Sequence, residues 1–115
     1  MKTLFILNDP PYGTERSYNG LRLARALSKQ PGQEVRLFLV GDAIACAKAG
    51  QIVPQGYYNI ADMVKMVGSA GQVGLCGTCM DARGVTEAEL VPGAARRTLG
   101  DLAAWTTEAD KVLVF

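Results

Sequence analysis

The chain has 115 residues, 49% of them hydrophobic and 20% charged, with a net charge of +1 and no histidine. That length suits one domain over residues 1–115 with its own core. Its dispersed, nearly balanced charge argues against a nucleic-acid footprint or a polybasic membrane patch. Three cysteines are an odd count for a disulfide framework. After Met1-Lys2-Thr3 the apolar run from Leu4 to Leu7 is too short for a signal-peptide core or a membrane span. Reduced thiols in a cytoplasm are therefore expected.

Thr3 to Asn8 reads as a parallel strand buried on both faces. Asp9-Pro10-Pro11-Tyr12-Gly13 ends it, and Thr14 is the expected cap of the next helix. Tyr18, Leu21, Ala24 and Leu27 recur at helical spacing until Pro31-Gly32. Glu34 to Val40 alternates as a second strand, completing a right-handed βαβ unit. A short helix over Ala43 to Ala49 follows, closed by Gly50, and Gln51 to Tyr58 reads as a surface loop.

Asn59 is placed to cap a helix on which Ile60, Met63, Val64 and Val67 fall at i, i+3, i+4 and i+7. Ser69-Ala70-Gly71 stops it, and Val73 to Cys76 forms the third strand. Glu89-Leu90-Val91 is the expected fourth strand, closed by Pro92-Gly93. Thr98 caps a last helix with Leu99, Leu102, Ala103 and Thr106 turned inward, before a final strand over Val112 to Phe115. Strands and helices alternating at these lengths predict an α/β fold, a doubly wound, mostly parallel five-stranded sheet of order 2-1-3-4-5 with helices on both faces. That order puts the loops after strands 1 and 3 at one crevice, bringing Asn8, Asp9, Tyr12 and Gly13 toward the thiols.

The chemistry concentrates in Val73-Gly74-Leu75-Cys76-Gly77-Thr78-Cys79-Met80-Asp81-Ala82-Arg83-Gly84. If a helical turn starts at Gly77, Cys76 sits beside free backbone N–H groups, those of Gly77 and Thr78 among them. Together with Arg83, if it folds back, these favour thiolate over thiol. Tyr12 and Tyr57 would line the mouth of the crevice or simply cover it. A CxxC pair has bland readings as well: free cysteines are often buried small hydrophobes, and Cys46 within Ala45-Cys46-Ala47 fits that description. Zinc needs four ligands, more than Cys76, Cys79 and Cys46 supply, so no metal is expected. Neither a GxGxxG nor a GxxxxGK[ST] motif occurs, so no nucleotide cofactor is expected. Leu99 to Trp105 reads as core or as a subunit contact through Trp105.

Pro11-Tyr12-Gly13, Asn19-Gly20-Leu21-Arg22-Leu23-Ala24, Arg36-Leu37-Phe38-Leu39, Gly56-Tyr57-Tyr58-Asn59, Leu75 to Gly84 and Ala109-Asp110-Lys111-Val112-Leu113 together resemble the DsrE/DsrF-like family, nearly end to end. The resemblance implies a flavodoxin-like sandwich, a cytoplasmic homo-oligomer (trimer or hexamer) and intracellular sulfur handling with protein donors and acceptors of sulfur as partners. It also implies that Cys76 accepts sulfur as a persulfide, with Cys79 as the second thiol, resolving the persulfide or closing a disulfide. Two rivals of another class stand beside it. One is a non-catalytic oligomer whose crevice holds a small anion or metabolite; the other is a regulatory subunit that docks a partner there.

Overall fold

The computed structural model describes all residues, Met1–Phe115. Five strands, Lys2–Leu7 (β1), Glu34–Leu39 (β2), Gln72–Cys76 (β3), Ala94–Arg97 (β4) and Lys111–Val114 (β5), form one sheet. Every neighbouring pair is parallel. Four helices accompany them: Arg16–Ser28 (α1), Ile60–Ala70 (α2), Gly77–Ala82 (α3) and Leu99–Glu108 (α4). The expected class is therefore found. The strand order is β4-β3-β2-β1-β5 rather than 2-1-3-4-5.

The physical reason lies in where the chain reverses. From β1 to β4 each right-handed crossover steps one strand in the same direction, which stacks α1, α2 and α3 on one face. Only after β4 does the chain turn back, passing α4 across the other face and setting β5 beside β1. The reversal therefore lies between β1 and β5. It does not bring β1 and β3 together, because β2 stands between them.

Strand β1 buries Leu4, Phe5 and Leu7, and β2 buries Leu37, Phe38 and Leu39, as an apolar run covered on both faces must. Ile60, Val64 and Val67 of α2 are buried and Met63 is half-buried, so the strongest helical stripe of the sequence does face the core. The Asn59 side chain caps that helix, accepting from the Asp62 N–H at 3.1 Å. Thr98 caps α4 in a reciprocal box with Asp101.

Several local expectations need correction. The residue preceding α1 is Glu15, in left-handed backbone at φ 65° and with no side-chain cap; the Thr14 hydroxyl, one residue earlier, donates to the Asp9 carboxylate at 2.7 Å and accepts from the Arg16 N–H at 3.4 Å. Gly41–Ala47 is a 3-10 segment, not an α-helix. The fourth strand is Ala94–Arg97; Glu87–Glu89 is instead a 3-10 turn held by a Thr86/Glu89 capping box. Pro92-Gly93 thus opens the strand instead of closing it. On α4 only Trp105 is buried, set edge-on to Phe38 with ring centroids 5.7 Å apart. Leu102 is half-buried against the core, but Leu99 is 72% exposed and Ala103 and Thr106 are exposed, so only part of the inward stripe expected there forms.

Candidate functional site

Strand β3 delivers Cys76 to the carboxyl edge of the sheet, where parallel α/β folds gather ligands. Cys76 is the residue before α3, with extended backbone, and only 7% of its surface is exposed. Glycines on both sides of it make room for two cations. A Cβ on Gly74 would lie 2.9 Å from Arg97 Cγ and 3.1 Å from the Phe38 ring. A Cβ on Gly77 would lie 2.8 Å from Arg96 Nε. Without side chains at 74 and 77, β4 brings Arg96 beside Leu75 and Arg97 beside Cys76 in the sheet register.

The result is a cavity of about 400 Å³ lined by Cys76, Gly77 and Thr78, by the cations Arg96 and Arg97, and by the carboxylates Glu87 and Asp101. Arg96 is held by a two-pronged pair to Asp81, at 2.7 and 2.9 Å. That contact, with Glu87 and then Cys76 as lesser causes, holds the Arg96 guanidinium still more firmly protonated. The same pair keeps the Asp81 carboxyl below its usual range. Arg97 lies over the Trp105 ring at 5.5 Å, which orients it without neutralising it.

Burial alone would push the Cys76 thiol up. Hydrogen bonds from the Thr78 hydroxyl, from the Cys79 thiol and from the N–H groups of Cys79 and Thr78 outweigh it, and Cys76 falls below the ordinary thiol value. The Thr78 Oγ1 is 3.2 Å from the sulfur. Cys79 moves the opposite way. Burial raises it, the Gly41 N–H partly offsets that, and its bond toward Cys76 raises it again. The pair is thus asymmetric: Cys76 is the thiol that gives up its proton first, and Cys79 the one that keeps it longer. Cys46 is elsewhere and fully buried, donating to the Asp9 carbonyl at 3.6 Å, and burial pushes its thiol up to about 12.

Of the residues expected at the crevice, Cys76, Gly77 and Thr78 line one cavity, with Cys79 next to them. Arg83 does not fold back onto Cys76. Its guanidinium grips Asp42 at 2.9 and 3.2 Å and donates to the Cys79 carbonyl at 3.1 Å. Asn8 bonds the Phe115 carbonyl with its side-chain amide at 3.2 Å, at the β1/β5 junction. Tyr12 is a brace: its hydroxyl donates to Gln51 at 2.5 Å and accepts from the Ile60 N–H at 3.2 Å, fixing the start of α2. Gly13 is exposed, at φ 114°. Tyr57 is 63% exposed and lines a separate cleft between α1 and α2. The loop after β2 separates these groups from the thiols, with the Gly41 N–H reaching Cys79 on one side and the Asn8 carbonyl lying on the other, where a Cβ on Gly41 would be 3.7 Å from that oxygen.

Arg96 and Arg97 escaped the sequence reading because the fourth strand was set at residues 89–91. No local signal marks them, since Ala94-Ala95-Arg96-Arg97 has neither β-branched residues nor alternation and forms a strand through its pairing with β3.

Fold and site together define a parallel α/β protein that presents an ionisable cysteine, flanked by two arginines, at the end of a strand. The model of the DsrE/DsrF-like family matches residues 1–115, and the chain belongs to that family. It is 42% identical to the protein YchN of Escherichia coli K12, over 99% of this chain and 98% of YchN. It is 37% identical to MJ0989 of Methanocaldococcus jannaschii over the whole of both chains. The crystal structure of YchN from E. coli superposes with a TM-score of 0.93 over 99% of this chain and 98% of that one. MTH1491 from Methanobacterium thermoautotrophicum, at 12% identity, shares the fold with a TM-score of 0.76 over 99% of this chain and 98% of its own.

Proposed function

We propose that the protein accepts sulfur as a persulfide on Cys76 and passes it on to a second protein. The observation that carries this is the asymmetric thiol pair, with Cys76 lowered by hydrogen bonds and Cys79 raised beside it. The Cys76 thiolate attacks the outer sulfur of a donor persulfide; the new S–S bond forms as the donor's own S–S bond breaks, and the donor thiolate leaves. An acceptor thiolate then attacks the outer sulfur on Cys76, which departs as thiolate. No general base is needed, which suits a chain without histidine.

The persulfide formed on Cys76 is more acidic than a thiol and extends into the cavity as an anion. Arg97, which has no carboxylate partner and is oriented on Trp105, is the cation free to meet it. This role replaces the one expected of Arg83. Cys79 serves as the resolving thiol. Its attack on the inner sulfur of the loaded Cys76 forms an intramolecular disulfide and releases hydrosulfide, which would end the relay.

The chain acts in a reducing compartment as a homo-oligomer. All three cysteines are free, and exposed Leu99, Val112 and Val114 on α4 and the edge strand β5 give apolar surface for a subunit contact. No helix is long and apolar enough to cross a membrane.

The test is mass spectrometry after incubation with a protein persulfide donor. Wild type at short times and Cys79→Ser throughout should each gain one sulfur atom, and Cys76→Ser none; only wild type should later lose it as the Cys76–Cys79 disulfide closes. Loading of Cys76→Ser equal to wild type would refute the assignment. If the crevice merely holds a small anion, none of the three proteins gains mass.

A further inference from the structure

The largest concavity of the molecule is not at Cys76. It lies between α1 and α2, has a volume of about 630 Å³ and includes Tyr57, Tyr18, Arg22, Arg25, Lys29 and Asp62 in its walls. Three cations therefore face one carboxylate. Arg16, Arg36, Arg83 and Arg96 each have a carboxylate partner within 4.0 Å. Arg22 and Arg25 do not: Arg22 is held instead by the Asn19 side chain at 3.2 Å and by the Tyr18 ring at 5.5 Å.

The aromatic wall is equally ordered. Tyr58 is stacked on Tyr18 with centroids 4.0 Å apart and on Tyr57 at 5.6 Å, with interplanar angles of 21° and 26°. Tyr57 is the open end of that stack, with 63% of its surface in solvent. Its ring is fixed from behind, so contact on its outer side costs little conformational entropy. Arginine and tyrosine held in this way are the side chains that dominate protein interfaces.

We propose that this cleft docks an acidic, extended segment of a partner protein, with an aromatic or apolar residue set against Tyr57. Arg22, Arg25 and Lys29 lie along one stripe of α1 and its last turn. They cover about 10 Å of helix axis at about 1.5 Å per residue. An extended chain places side chains of one face about 6.7 Å apart, so acidic residues at alternate positions span the stripe. The cleft is open along its length, which suits a peptide better than a single phosphate. The site does not depend on what Cys76 carries, and it gives a partner a foothold off the thiol crevice.

The test uses the full-length, 15N-labelled protein titrated with an acetylated peptide of alternating Glu and Tyr, and separately with inorganic phosphate. Amide shifts should move along α1 and at Tyr57, and binding should weaken steeply with salt. Reversing the stripe (Arg22→Glu, Arg25→Glu, Lys29→Glu) should weaken binding by about tenfold or more, since exposed pairs add up weakly. These residues are exposed, so the fold survives the change. Cys76→Ser should bind like wild type, which separates this proposal from sulfur transfer. Three results would overturn it: no shifts on α1 with the peptide, phosphate binding as tightly as the peptide, or a change of oligomeric mass on charge reversal, which would make the occupant a second copy of this chain.

Discussion

Replacing Thr78 by Val removes one hydroxyl from the Cys76 site while keeping the volume of the side chain. That hydroxyl lies 3.2 Å from the Cys76 sulfur and is the first-ranked hydrogen bond opposing the burial that pushes the thiol up. A hydrogen bond to a charged group is worth about 1.5 kcal/mol net, so its loss lowers the thiolate fraction about tenfold at any pH below the titration of both proteins. The thiolate that remains is more basic and, with a Brønsted slope near 0.4–0.5, roughly threefold more nucleophilic. The two effects combine to slow alkylation by roughly threefold below the titration of both proteins. Above the titration of both proteins the variant should be the faster one. The assay is the rate of iodoacetamide addition to the fragment holding Cys76, followed by mass spectrometry across pH. A variant that matches wild type throughout, or is slower at every pH, would refute the reasoning.

Arg83→Ala should leave the neutral-pH alkylation rate of Cys76 unchanged, because Arg83 is engaged by Asp42; a clear slowing would restore Arg83 to the site. Its cost in stability should stay below about 1 kcal/mol, as for other exposed pairs. Gly71→Ala should destabilise by about 3 kcal/mol in a urea titration, since the new Cβ would meet the Val35 carbonyl oxygen, a rigid backbone atom. Cys46 should resist alkylation in the native protein near neutral pH. Its thiol titrates at about 12 when folded, against 9.0 ordinarily, so its contribution to stability is complete below about 9 and is lost as pH rises toward 12. Wild type should therefore lose stability through that window more steeply than Cys46→Ala, and parallel curves would contradict this.

Much of the architecture was legible because local signals agreed with one another. The apolar runs at 3–8 and 73–76, the stripe from Ile60 to Val67 and the Asn59 and Thr98 caps all became the elements they suggested. What could not be read was pairwise placement. Strand order depends on which strands β3 and β5 pack beside, and Phe115 stacking on Phe5 with centroids 6.1 Å apart is a contact of high sequence separation. β4 was missed because Ala94-Ala95-Arg96-Arg97 has neither β-branched residues nor alternation; the strand exists through its pairing with β3. α4 packs through Trp105 and the half-buried Leu102 alone, so its remaining large apolar residue, Leu99, stays in solvent. At the site, Cys76, Gly77 and Thr78 were found because their chemistry is local to the chain. Arg96 and Arg97 were not, because only the register of β3 with β4 brings them there.

The most direct measurement is to locate the added sulfur in wild-type protein after brief exposure to a limiting protein persulfide. Fragment mapping with the persulfide trapped by alkylation should place one sulfur atom on Cys76, with Cys79 and Cys46 unmodified. Sulfur first appearing on Cys79, or on no cysteine at all, would contradict a relay carried by Cys76.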